Sequence, residues 1–243
     1  MHRGVSPASK EAAWSSALAV FREAARADAI GAGIAPLTVV GAFTLPPPGA
    51  RRRVYQALHI DFGLPVVPGR QTDVARYTAL YVDQARRRPL AATRIVPLRE
   101  LLAQRAWADA DVLVERLRTY ALAGDGAGSV PGQVEGILAR LVEAADESPT
   151  LPRPGDVLCG MEFETVAEEQ GHFAQHGLDL SAVEQRVRLG RGELLLLDNL
   201  ATARGRVGLR RPLELHQLCV GYSRLGASEQ SLLLRRMLGA LTR

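Results

Sequence analysis

A histidine and an aspartate stand two residues apart in the segment Leu58-His59-Ile60-Asp61-Phe62-Gly63. The surrounding residues VYQALHIDFG predict a strand, and residues i and i+2 of a strand project from the same face. His59 and Asp61 can therefore present an imidazole and a carboxylate to one point. That arrangement suits two neighbouring ligands of a divalent metal, or a hydrogen-bonded acid–base pair.

A second informative segment, GELLLLDN, is a buried apolar run that ends in Asp198-Asn199 and is followed by LATARGR. An HxD motif followed by such a strand and then by x-Gly-Arg resembles the Fe(II)/2-oxoglutarate-dependent oxygenases of the clavaminate synthase-like, taurine dioxygenase-like branch. The resemblance runs from about Leu58 to Tyr222 and is strongest in ELLLLDNLATARGR. It implies a double-stranded β-helix (jelly-roll) core with a helical insert.

The resemblance also implies roles for particular residues. His59 and Asp61 would be two ligands of Fe(II), and a histidine before the Gly-Arg pair would complete a facial triad with open positions for 2-oxoglutarate and oxygen. An arginine about fourteen residues later would grip the distal carboxylate of 2-oxoglutarate as a fork, helped by Thr93. At these two positions the chain has Arg204 and Leu218.

Both departures change the chemistry expected of the site. A guanidinium stays protonated and has no lone pair to donate, so Arg204 cannot ligate iron as an imidazole does. Arg204 could instead form a two-pronged ion pair with Asp61 and supply the positive charge that a metal would have brought. Leu218 cannot bind a carboxylate.

Three interpretations of the site follow from these residues. The first is an iron and 2-oxoglutarate oxygenase in which other side chains replace the two lost groups. The replacements would be His216, His172 or His176 for the metal and Arg206, Arg210 or Arg211 for the co-substrate. The second is a metal-free, non-oxidative enzyme in which His59 acts as acid or base, oriented by Asp61, while Arg204 binds an anion. The third is a non-catalytic binding protein, since a fold does not determine a function.

The resemblance implies a small-molecule or carrier-bound substrate that is polar, amino-acid-like or a natural-product intermediate. A homo-oligomer is possible through the alternating segment VEQRVRL, which could form a sheet edge. The 30 basic and 26 acidic residues are too evenly balanced to require a nucleic-acid partner. All basic residues except Lys10 are arginines, and their short runs are typical of a solvated surface.

Membrane and secretory classes are excluded by the same composition. No apolar run approaches the roughly 18 residues that span a bilayer, and the N-terminus lacks a secretory signal pattern. Cys159 and Cys219 are far apart and have no CxxC partner, which favours buried thiols in a reducing cytoplasm.

Other motifs favour structural interpretations. His172 and His176 share a predicted helix face with Glu168 and Glu169, but metalloprotease motifs place the glutamate between the histidines, so a polar helix face is expected. GDGAGS at 124–129 lacks the Lys-Ser/Thr of a phosphate loop, and the chain has no GxSxG elbow.

The apolar periodicity predicts an α+β fold in one domain spanning 1–243. An N-terminal helix capped by Ser6 precedes strands that include TVVGAF, VYQALHIDFG and ARYTALYV, and a helical insert is expected at about 97–147. A helix around EFETVAEEQGHFAQHG, ended by Gly177, leads to the strands ELLLLD and LELHQLCVGY and to a C-terminal amphipathic helix. Strands from both ends of the chain must then meet in one sheet system.

Overall fold

The structure is a computed structural model that describes residues 2–3, 9–45, 53–59, 71–85, 90–104, 163, 165–175, 177–209 and 213–241. Asp61, His176, Arg210 and Arg211 lie outside these residues, and so does the expected insert beyond residue 104. None of the helices within the described ranges is long and apolar enough to cross a membrane.

Two antiparallel sheets form the framework. The five-stranded sheet, here sheet A, has the order β1-β7-β4-β9-β2, and the four-stranded sheet B has the order β3-β8-β5-β6. The strands of sheet A are β1 His2–Arg3, β2 Thr38–Leu45, β4 Thr72–Ala85, β7 Leu194–Asp198 and β9 Leu213–Leu225. Those of sheet B are β3 Arg53–His59, β5 Leu90–Pro97, β6 Gln185–Val187 and β8 Thr202–Leu209. The strand order joins early and late segments, as the α+β prediction requires, and it agrees with a jelly-roll.

The helices flank these sheets. They are α1 Lys10–Arg26, α2 Leu98–Leu102, α3 Val166–Gln175, α4 Leu180–Val183 and α5 Ala227–Leu241. The predicted cap of α1 was wrong: the helix begins at Lys10, because the side chain of Ser9 accepts a hydrogen bond from the Ala12 amide at 3.3 Å. The prediction that Gly177 ends a helix is confirmed, since Gly177 follows α3 with a φ of 73°.

Three buried clusters show which strand residues face the other sheet and which face the helices. The inter-sheet cluster contains apolar residues from both sheets: Leu80, Val82, Ile95, Val187, Leu189, Leu195, Leu197 and Leu215. The α1 cluster joins sheet A to α1: Ala13, Ala17, Phe21, Tyr77, Ala79, Tyr81, Leu194, Leu218 and Val220. A third, larger cluster packs α2–α5 against strand ends and includes Leu58, Phe173 and Tyr222. Alternate residues of sheet A therefore face either sheet B or α1.

Two β-bulges interrupt the regular pairing near functional positions. On β4, Ala75 pairs with Gly221 and Tyr77 with Val220, so Arg76 is an extra residue. On β3, Gln56 pairs with Arg206 whereas His59 pairs with Arg204, and the register shifts between them. A bulge changes the direction of the side chains that follow it, so both irregularities affect what the strands present.

Candidate functional site

His59 and Arg204 are direct cross-strand partners, on β3 and β8. Arg204 also pairs on its other side with Ile95 of β5, which belongs to the inter-sheet cluster. Paired residues in an antiparallel sheet project from the same face, so His59 and Arg204 face the space between the two sheets. Arg204 is buried, with 5% of its surface exposed, and His59 is partly buried. The fold thus brings together two of the residues singled out from the sequence.

A second row of polar residues lies two positions further along the same face. Thr93 of β5 pairs with Arg206, and Arg206 pairs with Gln56 of β3. Thr93 is buried, with Val187 of the inter-sheet cluster as its partner on β6. The Nε2 atom of Gln56 lies 3.4 Å from Nε2 of His59, which connects the two rows.

Gln56 was not found by sequence reasoning. On a regular strand, residues three apart point to opposite faces, and only the bulge in β3 places Gln56 and His59 on one face. The site therefore consists of His59, Arg204, Arg206, Thr93 and Gln56 within the described residues. Asp61, the aspartate of the HxD motif, lies outside the described residues.

Sheet A forms the opposite wall of the inter-sheet space. The residue of this sheet at the position expected to bind the co-substrate, fourteen residues after Arg204, does not face that space. Leu218 belongs to the α1 cluster and so faces away from sheet B. Its neighbours Gln217 and Cys219 face inward, where the amide of Gln217 donates to the sulfur of Cys219 at 3.2 Å and the hydroxyl of Thr78 lies 3.8 Å from that sulfur. The residue fourteen positions after Arg204 is therefore on the wrong face to bind a co-substrate between the sheets.

Two of the proposed replacement histidines also face elsewhere. The Nδ1 atom of His216 lies 2.9 Å from the hydroxyl of Thr44, and its ring stacks on Tyr81 of the α1 cluster. His172 lies on α3, where its ring contacts Phe163 and Phe173. This helix covers the outer face of sheet B, so neither histidine can join His59 as a metal ligand.

The donor atoms of the described site residues do not fit a facial triad for iron. His59 contributes one imidazole, but its cross-strand partner is a guanidinium, which offers no lone pair. Among the described residues, no group of three or more His, Cys, Asp or Glu side chains is placed to hold a metal ion. Arg204 and Arg206 instead present two fixed positive charges on one face.

This arrangement is suited to binding a small anion. Arg204 and Arg206 are two residues apart on one strand, so their backbone positions are about 7 Å apart. Two guanidinium groups at that spacing can hold the two ends of a short dicarboxylate or bracket one carboxylate. The hydroxyl of Thr93 supplies a further donor beside Arg206. The inter-sheet cluster lies next to this row, and apolar surroundings strengthen contacts between opposite charges.

The Asp198-Asn199 pair of the motif has a structural role. Asp198 accepts hydrogen bonds from the amides of Leu200 and Ala201 and pairs with Arg76, while the side chain of Asn199 donates to the carbonyl of Ala75 at 2.8 Å. These contacts fasten the β7–β8 turn to the bulge of β4 and so determine where β8 begins.

Arg76 also binds Asp28, which follows α1. Burial raises the pKa of Asp28, but the hydrogen bonds and charge of Arg76 outweigh it and hold the pKa below its ordinary value. A cleft of about 330 Å³ beside these residues is lined on one side by α1 and contains Phe21 and Asp198. Because the charges in this cleft bind each other, they serve to anchor α1 to sheet A.

Three comparisons with known proteins were made. No protein-family model and no curated protein matches the chain. Among solved structures, it is similar to an asparagine oxygenase in complex with Fe(II), 2S,3S-3-hydroxyasparagine and succinate, at 19% identity and a TM-score of 0.36, over 73% of this chain and 56% of the other. PvcB from Pseudomonas aeruginosa matches at 14% identity and a TM-score of 0.38, over 73% of this chain and 63% of PvcB.

A third similar structure is the non-heme iron oxygenase OrfP in complex with Fe, succinate and (3R,4R)-dihydroxy-L-Arg. It matches at 14% identity and a TM-score of 0.36, over 73% of this chain and 54% of OrfP. The chain spans 54% to 63% of the length of these solved structures. OrfP is described as a non-heme iron oxygenase and PvcB as an Fe, alpha-ketoglutarate dependent oxygenase from an isonitrile synthetic pathway. The clavaminate synthase-like branch stays a prediction.

Proposed function

We propose that this chain is an atypical, jelly-roll member of the Fe(II)/2-oxoglutarate oxygenase superfamily that acts on a small, amino-acid-like carboxylate without using iron. The observation that carries the proposal is the cross-strand pair of His59 and Arg204 between the sheets. It puts a permanent cation beside the imidazole, at the position where the resemblance calls for the third metal ligand. A divalent metal bound there would meet a positive charge instead of a lone pair.

In this proposal, Arg204, Arg206 and Thr93 bind the substrate. Arg204 is almost fully buried, and a buried guanidinium binds a carboxylate with charge-assisted hydrogen bonds that are stronger than neutral ones. Thr93, paired directly with Arg206, donates to the same group. A substrate of matching chemistry is a short carboxylic acid with a polar or second acidic end, which includes amino acids and dicarboxylates.

Proton transfer is assigned to His59, because an imidazole is the side chain that takes up and releases a proton near neutral pH. Gln56, 3.4 Å from the ring, restricts its orientation. Asp61 would complete the arrangement as the acid that orients the ring, as the i, i+2 spacing predicts. Arg204 would stabilise negative charge that develops on the substrate as His59 removes a proton.

An iron-dependent oxygenase is the second candidate, and the resemblance of the motifs supports it. That candidate needs a third ligand from outside the site, and His216 and His172 face other parts of the molecule. It also needs a cation for the co-substrate, which Arg206 beside Thr93 could supply. The decisive difference between the candidates is therefore iron binding and not carboxylate binding.

The experiment measures carboxylate and iron binding separately. Calorimetric titration of the purified protein with acetate, succinate, 2-oxoglutarate and aspartate should give saturable binding of at least one of them. The Arg204→Met and Arg206→Met variants should each weaken that binding by about 10- to 100-fold, the usual effect of losing a hydrogen bond to a charged group. The Arg22→Met variant removes an exposed arginine of α1 and should bind as the wild type does.

Iron binding is then tested under anaerobic conditions with Fe(II) and 2-oxoglutarate. We expect no visible metal-to-ligand charge-transfer band and no succinate on admission of oxygen. A stoichiometric band would refute the metal-free proposal and favour the oxygenase. Absence of binding for all four acids, or unchanged binding in both arginine variants, would refute the carboxylate site itself.

A further inference from the structure

A buried ion network lies on the outer face of sheet B, beside the bulge that precedes His59. Between Gln56 and His59 the strand β3 has one residue more than β8 opposite it. Leu58, inside this irregular stretch, is fully buried and packs in the cluster under α3. Among the described residues, β8 is the strand that pairs with β3, and a further group contacts the bulge from the outer face of sheet B.

That group is the carboxylate of Glu169 on α3. Its Oε1 atom accepts a hydrogen bond from the Leu58 amide at 2.7 Å, across 111 positions of sequence. The side chain of Glu169 is completely buried. A carboxylate in such surroundings is costly unless it is paired, so its placement beside one strand amide calls for a compensating cation.

Arg94 of β5 is this cation. Its Nη1 donates to Oε2 of Glu169 at 2.5 Å, while its Nε and Nη2 donate to Glu184 at 2.9 and 2.6 Å. The guanidinium also lies over the ring of Tyr55 on β3, 6.0 Å from its centroid. Burial lowers the pKa of Arg94, but both glutamates outweigh this effect and the net pKa is raised, so the charge is permanent.

From the outer face of sheet B, the network reaches two strands that carry site residues, β3 and β5. Arg94 directly follows Thr93 on β5, and consecutive strand residues face opposite sides, so Thr93 faces the site while Arg94 faces the network. Leu58 directly precedes His59 on β3 and is held by Glu169. A chain of hydrogen bonds thus runs from the Leu58 amide, which precedes His59, through Glu169 to Arg94, which follows Thr93.

We infer that Glu169 is a positioning residue, which holds the β3 bulge so that His59 faces Arg204 and the bound carboxylate. The inference rests on the proposed function for the identity of the ligand, but the bond from Leu58 to Glu169 does not. Without this bond the bulge can relax towards regular pairing, which would turn His59 away from its present face.

The test compares three variants of the full chain. Glu169→Ala removes the acceptor of the Leu58 amide. Glu169→Gln keeps one acceptor oxygen, which can serve the Leu58 amide, and gives up the charged bond to Arg94. Glu184→Gln is the matched control, because it disturbs the same arginine and leaves the bond to Leu58 intact. Three quantities are measured by NMR and calorimetry: exchange of the Leu58 amide, the ring chemical shifts of His59, and binding of succinate.

In Glu169→Ala we expect Leu58 exchange to become about 10- to 100-fold faster, in line with the loss of a hydrogen bond to a charged group. The His59 ring shifts should change and succinate should bind at least about 10-fold more weakly. Glu169→Gln and Glu184→Gln should keep the wild-type His59 shifts even where their melting temperatures fall. This separates positioning from general stability.

Unchanged His59 shifts in Glu169→Ala, or equal changes in Glu184→Gln, would overturn the inference. If Glu169→Ala does not fold, Glu169→Asp takes its place, because its carboxylate is one methylene shorter and withdraws from the Leu58 amide. Faster exchange of that amide with unchanged His59 ring shifts would then overturn the inference as well. Failure of the wild type to bind succinate counts against the proposed function alone, since amide exchange and ring shifts are read without ligand.

Discussion

Replacing Arg76 with methionine should strongly destabilise the protein, because a buried carboxylate would lose its partner. The guanidinium donates to Asp28 through Nε at 2.8 Å and Nη2 at 3.0 Å, and it also pairs with Asp198. Asp28 is only 5% exposed in this pair, whereas Asp198 is 37% exposed. Methionine is long enough to fill most of the vacated space, so charge rather than a cavity dominates the effect.

The magnitude follows from these exposures. Breaking a buried ion pair by removing one partner costs about 3–5 kcal/mol, since the remaining charge stays without compensation. Asp28 keeps its bond from the Ile30 amide, and Asp198 stays partly hydrated, so we expect the lower part of that range, about 3–4 kcal/mol. For a chain of this length that loss lowers the melting temperature by roughly 6–16 °C.

The loss should also depend on pH. In the wild type, burial raises the pKa of Asp28, but Arg76 outweighs burial and the net pKa lies below the ordinary 3.8. Without Arg76, the guanidinium no longer outweighs burial, so the pKa of Asp28 in the folded variant rises from its wild-type value even though the Ile30 amide still donates to it. The variant is therefore penalised at pH 7, where Asp28 is charged, and the difference in unfolding free energy narrows as the pH falls towards 4.

Urea unfolding and thermal melts at pH 7 and pH 4.5 measure the effect. The double variant Arg76→Met/Asp28→Asn, which removes both buried charges, should recover more than half of the lost stability. Asp198→Asn alone should cost only about 1 kcal/mol, the usual value for a partly exposed pair. A melting temperature of Arg76→Met within 2 °C of the wild type, or a double variant less stable than the single one, would refute the reasoning.

Three further outcomes are expected. Leu218→Arg should lower the urea midpoint and add no 2-oxoglutarate affinity in calorimetry, because the new charge would lie in the α1 cluster; a gain in affinity would contradict the assigned face. Gly221→Ala should lower the free energy of unfolding by about 1–3 kcal/mol, since the new Cβ would lie 1.9 Å from the carbonyl oxygen of Val74. An unchanged urea midpoint would show that the backbone of the β4 bulge moves to make room for the methyl group. Burial raises the pKa of Glu184, but Arg94 outweighs burial and the net pKa is lowered, so the stability that Glu184 contributes above pH 4.5 should be lost as the pH falls below it. Thermal melts of the wild type and Glu184→Gln from pH 6 to 3 measure this loss. An equal loss of stability in Glu184→Gln would refute the assignment.

Much of the framework could be predicted from local patterns. The β-branched and apolar runs correctly indicated β2, β4, β7 and β9, and the 3.6-residue periodicity indicated α1 and α5. The prediction that a strand carries His59 is confirmed, although β3 ends at that residue. Helix starts were less predictable, because Ser6 and Ser9 are equally good capping residues and only the helix position distinguishes them.

The composition of the site was partly predictable and its geometry was not. Motif resemblance singled out His59, Thr93, Arg204 and Arg206, and strand register brings these four together. Gln56 was not predicted, because the face of a sheet that a side chain occupies is inferred from a two-residue alternation and the β3 bulge breaks that alternation. Counting positions from Arg204 led to Leu218, and the direction of that side chain depends on the pairing of β9 with β4.

Residue identity alone accounts for the chemical groups that are available: the imidazole of His59, Arg204 in place of a histidine, Arg206 after Gly205, and Leu218 in place of a carboxylate-binding arginine. No coordinates are needed for this part. Which of these groups meet depends on strand register and bulges, and therefore on how the strands pair in three dimensions. The tertiary structure also decides what holds them, since Glu169 lies 111 positions from the Leu58 amide that it binds and can reach it only when α3 packs on sheet B.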